Sequence, residues 1–392
     1  MRLESYKITS YGEWVDIGCA DGTSLYSRNI GEVLQYFVEA SKVLNTCWDL
    51  DAEITPLLKL LGEEKCKKLA ETNKCFSRPF TVFYIPSKLL SISPVYSKEQ
   101  FNLYQLKQYF PDEKEPGELT GIKAKGNQVL EVLAGMGIYP EKLTSPVAMY
   151  EQSVMRHLDL PSMKSIPKEA GYYAWQCSGK LWIEAFMLGY WEQAWDYDIV
   201  ASFPSIVRGL YDLRYCYWKN SKELPLDAVY GYCKCRVNIW AKVSPIIYVD
   251  GKGKSTTPVG SWETYLTLSE IQFINEWKIG KVEIIDGWWA FKKEPVVESY
   301  PFQVVMDRLL TYKDSENPLV RHLAKQMSVG VYGKFGEEYK DKFGKYFNPV
   351  YFAEVSTRIR LEVADFIYRH KLEENLIHVS VDGVLVDQEV EL

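Results

Sequence analysis

The chain has 392 residues, enough for two or three domains. Its composition, 47% hydrophobic and 25% charged, is that of a globular protein, and its net charge of −6 excludes a uniformly basic nucleic-acid-binding coat but not a local basic groove. No apolar run reaches transmembrane length and no signal peptide is recognisable, so we expect no membrane association. The eight cysteines are scattered, which indicates reduced core thiols of a cytoplasmic protein rather than zinc or disulfide sites.

The first third of the chain is predicted to alternate strands with helices. The pattern favours a strand over residues 3–10, a hairpin around Asp21-Gly22, a helix over 30–44, and a helix over 54–61 that ends at Gly62. A strand over 80–85 and a helix over 129–136 follow. A turn is then predicted at Ser178-Gly179-Lys180.

Two aspartates far apart in the chain are predicted to stand at strand ends. An aromatic and β-branched run ends at Asp198, shortly before Pro204, which cannot donate to a strand ladder. Asp382 precedes Gly383 within an alternating run, which predicts a hairpin. Carboxylates at a strand end and a hairpin tip suit Mg²⁺, because hard cations prefer carboxylate oxygens. A single aspartate in such a position is more often a turn residue than a metal ligand, and this alternative applies to each of the two.

Strands and helices are predicted between the two aspartates. We expect strands over 230–241, 246–250 and 282–291, and helices over 205–212, 267–276, 301–312 and 319–331. Lys325 lies on the last of these helices, and Tyr332-Gly333 follow it.

A long helix is predicted over residues 354–371. Its apolar residues form one face that we expect to lie under the sheet carrying the two aspartates: Val355, Ile359, Val363 and Ile367. Arg358 and Arg360 are expected to be solvated.

Three of these stretches together resemble the motifs of family B DNA polymerases, most closely those of the phage and plasmid branch that contains the protein-primed enzymes. The family's motifs run Asp-x-x-Ser-Leu-Tyr-Pro-Ser, Lys-x-x-x-Asn-Ser-x-Tyr-Gly and Tyr-x-Asp-Thr-Asp. Residues 198–205, 325–333 and 378–382 correspond to them in the same order. The resemblance covers nearly the whole chain. It implies an α/β and α+β multidomain fold, in which an RNase H-like exonuclease-type domain is followed by polymerase palm and fingers.

The resemblance also implies domain limits. Residues 1–140 would form a degenerate 3′–5′ exonuclease-like domain, 141–300 the first part of the palm, 301–345 the fingers and 346–392 the second part of the palm. No thumb is recognisable, because the chain ends about ten residues after Asp382. We therefore expect a second chain to supply the thumb of a split polymerase.

The exonuclease motifs are incomplete. Asn45-x-x-Trp48-Asp49 resembles the second motif, but Tyr6 and Ile8 stand where the first motif would have Asp-x-Glu. Lys123 and Asn127 stand where the third would have tyrosine and aspartate. Hydrolysis by two metal ions needs several carboxylates, so we expect an exonuclease fold without exonuclease activity. Asp49 and Asp51 are then expected to be surface or turn acids.

Site roles follow from the resemblance, residue by residue. Asp198 and Asp382 would hold two Mg²⁺ ions, with Mn²⁺ as the alternative cofactor. Lys325 and Lys313 would contact the phosphates of a deoxynucleoside triphosphate. For Lys313, a solvated position at the end of the helix is an equal alternative. The remaining expected contacts are Tyr332 and Phe203 with the nucleotide, and Gly179, Lys180 and Gly333 with DNA. A plain β-turn is the alternative for Gly179.

Four residues depart from the family pattern. Phe203 replaces a tyrosine under the sugar, where a phenyl ring can still exclude a 2′-hydroxyl. Val329-Gly330 replace Asn-Ser, and Ser380 replaces the first aspartate of the last motif. The leading hypothesis is a DNA polymerase acting on primer-template DNA and deoxynucleoside triphosphates in a bacterial host, encoded by a phage or plasmid. The alternatives are a catalytically silent, polymerase-derived DNA-binding protein and, third, a terminal transferase or primer-making enzyme.

Overall fold

The computed structural model describes residues 3–40, 43–250, 252–339 and 342–391. The chain forms two compact units, one comprising Met1–His157 with Lys313–Met327 and the other Leu158–Tyr312 with Ser328–Leu392. Within the described ranges, no helix combines the length and the apolar character needed to cross a membrane.

The first unit contains an eight-stranded sheet with helices. Its strands are β1 (Leu3–Tyr11), β2 (Trp14–Cys19), β3 (Ser24–Ser27), β4 (Leu44–Cys47), β5 (Lys74–Ser77), β6 (Phe80–Ile85), β7 (Leu89–Pro94) and β8 (Phe101–Gln105). Its helices are α1 (Ile30–Glu39), α2 (Leu50–Leu61), α3 (Glu63–Thr72), α4 (Leu119–Gly135) and α5 (Pro146–Ser153). The strand order is β3-β2-β1-β4-β8-β7-β6-β5, and β4 lies parallel to both β1 and β8.

The predicted strands and hairpin of the first unit are confirmed, whereas its helices differ in their bounds. Helix α1 ends at Glu39, and residues 44–47 join the sheet as a buried strand instead of continuing the helix to 44. Helix α2 begins at Leu50, because the side chain of Asp49 accepts a hydrogen bond from the backbone N–H of Ala52 and caps the helix. Helix α4 begins ten residues earlier than predicted.

The second unit contains two four-stranded sheets and, among the residues that the structure describes, two short antiparallel strand pairs. Its strands are β9 (Ile183–Ala185), β10 (Trp195–Asp198), β11 (Cys216–Asn220), β12 (Tyr230–Ile239), β13 (Tyr248–Val249), β14 (Ser255–Thr256), β15 (Gly260–Thr267), β16 (Gly280–Lys292), β17 (Glu338–Tyr339), β18 (Lys342–Phe343), β19 (Leu376–Ser380) and β20 (Gly383–Val386). Its helices are α6 (Lys168–Cys177), α7 (Ser202–Arg208), α8 (Leu268–Trp277), α9 (Gln303–Lys313), α10 (Pro318–Phe335) and α11 (Pro349–Arg369), of which α9 and α10 include residues of the first unit.

One four-stranded sheet has the order β10-β20-β19-β9 and the other the order β11-β16-β12-β15. The predicted apolar face of α11 is buried, and Val363 and Ile367 share one hydrophobic core with Val379 and Val384 of the first of these sheets. The prediction that this helix lies under the sheet of the two aspartates is therefore confirmed. Of the strand predicted over 246–250, two residues form β13.

The prediction that Arg360 is solvated is wrong. Its side chain is fully buried, and its guanidinium lies 2.5 Å from the carboxylate of Glu270, which is also fully buried. The same guanidinium donates to the backbone carbonyl oxygens of Pro245 and Lys180, each at 3.0 Å. A buried guanidinium requires a charged partner and several acceptors, and the neighbouring segments supply both. Arg358 is partly exposed and pairs with Glu354.

Candidate active site

The two predicted metal ligands meet at one end of a strand pair. Strands β10 and β20 pair antiparallel, with Asp198 opposite Gly383. The backbone N–H of Ile199 donates to the backbone carbonyl oxygen of Asp382 at 2.9 Å. A Cβ atom on Gly383 would lie 3.4 Å from Oδ1 of Asp198. The structure therefore places Asp198 directly beside the residue that follows Asp382.

The turn after β10 provides a second link to Asp382. Ala201 has a φ of 57°, in the left-handed region, and α7 begins at the next residue. The hydroxyl of Ser202 donates to Oδ2 of Asp382 at 2.5 Å. Pro204 lies in the first turn of α7, where a missing N–H costs no intrahelical hydrogen bond, so the helix begins before the predicted residue 205. Ser202 therefore restrains the orientation of the Asp382 carboxylate.

The hairpin tip that carries Asp382 has a strained backbone. Val381 has a φ of 61°, which is rare for a β-branched residue. Its N–H donates to the carbonyl oxygen of Trp182 at 2.8 Å, which holds the tip in this conformation. Residues held in this region cost on the order of 1–3 kcal/mol and cluster at functional sites. The strain supports a functional role for the tip.

A third carboxylate lies on the same face of the sheet. Side chains alternate along β10, so Asp196 and Asp198 are exposed while Tyr197 packs against the core. Asp196, Asp198 and Asp382 line a cleft of about 330 Å³. Our sequence analysis did not single out Asp196, although the spacing of two residues from Asp198 was a sufficient signal. Ser380 is exposed opposite Gly383 and offers a hydroxyl where the family has an aspartate.

The donors of this cleft fit Mg²⁺. They are carboxylate oxygens, which hard divalent cations prefer, and the cleft is open to solvent on the side of Asp198. Among the residues that the structure describes, no thiol or imidazole, which would favour softer metals, lines it. Asp198 and Asp382 are the residues that would hold the ions.

Aromatic rings pack in a row between α7, α10 and α11. The ring centroid of Phe203 lies 4.9 Å from that of Tyr332, and Tyr332 lies 4.9 Å from Phe352. Burial raises the pKa of Tyr332 to about 12, so its hydroxyl stays neutral at physiological pH. Phe203 is half-buried and forms the end of the row. Two predicted nucleotide-binding side chains are thus in direct contact.

The two predicted phosphate-binding lysines belong to the residues grouped with the first unit. Lys325 is exposed on α10, seven residues before Tyr332 and hence on the same face of that helix. Lys313 is half-buried at the end of α9. Their contact with a triphosphate stays a prediction.

The three residues predicted to contact DNA differ in their surroundings. Gly179 is exposed with a φ of 68°, as a turn requires, and Gly333 is exposed on α10 with open space beside it. Lys180 is 8% exposed, and its ammonium donates to the backbone carbonyl oxygen of Tyr265 at 3.3 Å. Its charged end therefore points into the protein, which disfavours the predicted contact with a DNA phosphate.

The exonuclease-like positions of the first unit carry structural side chains. Tyr6 and Ile8 are buried in the hydrophobic core. The ammonium of Lys123 lies 2.8 and 3.0 Å from the two carboxylate oxygens of the buried Glu4. Asn127 is exposed, and Asp49 caps α2.

Asp51, the other acid of this region, binds side chains and backbone of the same unit. Its carboxylate accepts hydrogen bonds from the backbone N–H of Ser87 at 2.7 Å and from the hydroxyls of Ser87 and Tyr84. Asp49 also pairs with Lys107 at 2.7 Å. Both acids thus have the structural roles expected of turn acids.

Comparison with known proteins gives a match in structure only. No model of a known protein family matches the chain, and no curated protein matches its sequence. Phi29 DNA polymerase in complex with primer-template DNA and incoming nucleotides matches with a TM-score of 0.63 and 11% identity, over 100% of this chain and 80% of that chain. Phi29 DNA polymerase in complex with single-stranded DNA matches with a TM-score of 0.63 and 12% identity over the same shares.

The fold is polymerase-like. The chain is similar in fold to phi29 DNA polymerase. At 11–12% identity this similarity shows the fold alone, so the activity of this polymerase-like chain is argued from its own residues.

Proposed function

We propose that this chain is the core of a template-directed DNA polymerase that uses two Mg²⁺ ions, or Mn²⁺ in their place. The observation that carries the proposal is the pairing of β10 with β20, which sets Asp198 beside the hairpin tip of Asp382. The substrates would be primer-template DNA and deoxynucleoside triphosphates. The polymerase-like fold supports this assignment.

We assign the following roles to the residues of the site. When bound, Mg²⁺ lowers the pKa of the attacking 3′-hydroxyl and offsets charge on the transferring phosphate. Asp198 and Asp382 hold the ions, and Ser202 keeps the Asp382 carboxylate in one orientation. Phe203, backed by Tyr332, excludes a 2′-hydroxyl from the sugar site. By the resemblance, Lys325 neutralises part of the triphosphate charge as a compact point charge.

We also propose that the first unit has no exonuclease activity. The positions of the missing acids are occupied by two core residues, Tyr6 and Ile8, and by the exposed Asn127, while Lys123 stands at the tyrosine position and pairs with Glu4. Asp49 and Asp51 are committed to a helix cap and to Ser87. Among the described residues of this unit, Glu4, Cys19 and Asp21 bring potential metal-ligating atoms within 4.8 Å of one another, and these two carboxylates are fewer than two metal ions need.

A second candidate function is DNA binding without synthesis. It is favoured by the exposed Ser380, which leaves the open face of the sheet with one carboxylate fewer than the family motif provides. Asp196 of β10 lines the same cleft as Asp198 and Asp382 and adds a carboxylate there.

Primer extension separates the two functions. A labelled primer-template is incubated with Mg²⁺ and all four deoxynucleotides, with Asp382→Asn as the control and DNA binding measured in parallel. The proposal predicts template-dependent extension that the variant abolishes while DNA binding is kept. Runs with and without proteins encoded beside this chain test the expected thumb-bearing partner. No incorporation under any of these conditions, with DNA binding intact, would leave the silent DNA-binding function.

A further inference from the structure

Three aromatic rings and two lysines form a surface on the second unit, which we name the aromatic–lysine surface: Trp175, Phe343, Phe347, Lys164 and Lys345. The rings of Phe343 and Phe347 are stacked, with centroids 4.0 Å apart and planes at 21°. The ring of Trp175 lies 5.2 Å from Phe347 and 6.4 Å from Phe343. Phe343 is 61% exposed, so the outermost ring of the group presents much of its surface to solvent.

The surface borders a cavity of about 600 Å³. Lys164, Phe343, Lys345 and Phe347 line this cavity, and both lysines are exposed. Among the described residues neither lysine forms an ion pair, and the ammonium of Lys345 lies over the ring of Tyr346, 5.1 Å from its centroid. The acid that lines the cavity, Asp159, is already paired with Arg214. The two exposed lysines line the cavity together with the exposed ring of Phe343, and an exposed acid, Glu338, lies opposite Phe343 in the pairing of β17 with β18.

Two of the three rings are carried by secondary-structure elements. Trp175 is carried by α6, where Phe352 of α11 packs behind it with a centroid distance of 6.1 Å and near-parallel planes. Phe343 ends β18, in the short hairpin that β17 and β18 form. Single exposed apolar residues are common on protein surfaces, whereas stacked rings flanked by lysines are the combination that binds unpaired bases and their phosphates.

We propose that the aromatic–lysine surface binds single-stranded DNA, the unpaired template strand, with bases stacked on Phe343 and Trp175 and phosphates near Lys164 and Lys345. This inference rests on the proposed polymerase function, because it assigns the strand to a template. A duplex keeps its base faces inside the helix, so only an unpaired strand can use the rings.

The test measures binding of a labelled 12-nucleotide oligo-dT by fluorescence anisotropy, in EDTA and without nucleotides. Phe343→Ala is expected to weaken binding by at least about fivefold, the lower end of what one stacked base contributes. The matched control is Tyr96→Ala, since Tyr96 is 94% exposed on the first unit and should leave binding unchanged. An abasic oligonucleotide of the same length should bind the protein and its Phe343→Ala variant equally well.

The lysines are tested by the salt dependence of binding. The double variant Lys164→Ala/Lys345→Ala is expected to weaken binding of both oligonucleotides and to reduce the slope of log affinity against log salt by about 1.4, or about 0.7 for each phosphate that is no longer neutralised. Lys98→Ala, an exposed lysine of the first unit, is the control. Thermal unfolding confirms that every variant is folded.

The outcomes separate this inference from the proposed function. Equal oligo-dT affinity for Phe343→Ala and Tyr96→Ala would overturn the inference, even if primer extension succeeds. An equal loss on oligo-dT and abasic DNA would also overturn it, because the ring would then not stack on bases. If Phe343→Ala weakens oligo-dT binding and extension fails, the surface stands as a single-strand site and only the polymerase function is refuted.

Discussion

The hydroxyl of Ser202 lies 2.5 Å from Oδ2 of Asp382, although 180 residues separate them in the chain. One oxygen of the proposed metal ligand is thereby fixed by the first residue of α7, which itself follows the turn after Asp198. The two aspartates are thus connected both by strand pairing and through this hydroxyl.

We predict that Ser202→Ala lowers the rate of primer extension by about tenfold and raises the Mg²⁺ concentration needed for half-maximal rate. Partners that orient a metal ligand typically contribute about 10- to 100-fold in metal affinity or activity. The measurement is a Mg²⁺ titration of the extension rate. Ser205→Ala, an exposed serine of the same helix, is the control. A Mg²⁺ dependence identical to that of the unmodified protein would show that Ser202 has no such role.

We predict that Phe203→Ala relaxes the choice of sugar. The half-buried ring, packed 4.9 Å from Tyr332, is the group that would exclude a 2′-hydroxyl, and removing it opens that space. Incorporation of ribonucleotides relative to deoxynucleotides should rise by about 10- to 100-fold. Single-nucleotide extension with each sugar gives the ratio. Phe203→Tyr should keep the discrimination, and an unchanged ratio in Phe203→Ala would contradict the assignment.

We predict that breaking the buried ion pair of Arg360 and Glu270 lowers the stability of the protein. Arg360→Met leaves the Glu270 carboxylate buried without a charged partner, so the free energy of unfolding should fall by about 3–5 kcal/mol. Urea denaturation measures the change. Arg369→Met removes the exposed partner of Asp365 on the same helix and should change the unfolding free energy by less than about 1 kcal/mol. Equal effects of the two substitutions would argue against the buried pair.

We predict that the titration of Glu53 makes the free energy of unfolding depend on pH. Burial raises the pKa of its carboxyl from 4.5 to about 7 in the folded state. Because the folded protein binds the proton more tightly than the unfolded chain, the contribution of Glu53 is most favourable at low pH. It is lost as the pH rises from about 4.5 to about 7.

Glu53→Gln removes this titration and keeps an acceptor for the backbone N–H of Ile8. Relative to this variant, the unmodified protein should lose about 3 kcal/mol of unfolding free energy between about pH 4 and pH 8. Urea denaturation of both proteins at the two pH values checks this. Glu64→Gln, an exposed glutamate on α3, should track the unmodified protein at both. Parallel pH profiles for Glu53→Gln and the unmodified protein would refute the prediction.

Local signals in the sequence were enough for most secondary structure and for the two central acids. The strand ending at Asp198, the hairpin at Asp382 and the buried face of α11 follow from alternation, turn residues and helical spacing. These signals are properties of residues close together in the sequence, so they can be recognised without knowing which distant residues pack against them. The polymerase-like fold was implied by the resemblance of three ordered motifs to those of family B DNA polymerases, and the similarity to phi29 DNA polymerase supports it.

The tertiary structure determined which contacts form between segments that are far apart in the sequence. Arg360 has the sequence neighbourhood of a solvated helix residue, and only the approach of α8, 90 residues away, makes it a buried ion-pair partner. Lys180 turns inward because the carbonyl oxygen of Tyr265 is there to accept its hydrogen bond. The sequence by itself thus determined which residues could form the elements and the metal ligands. Burial, charge pairing and side-chain direction depend on contacts between residues far apart in the chain, and those exist only after folding.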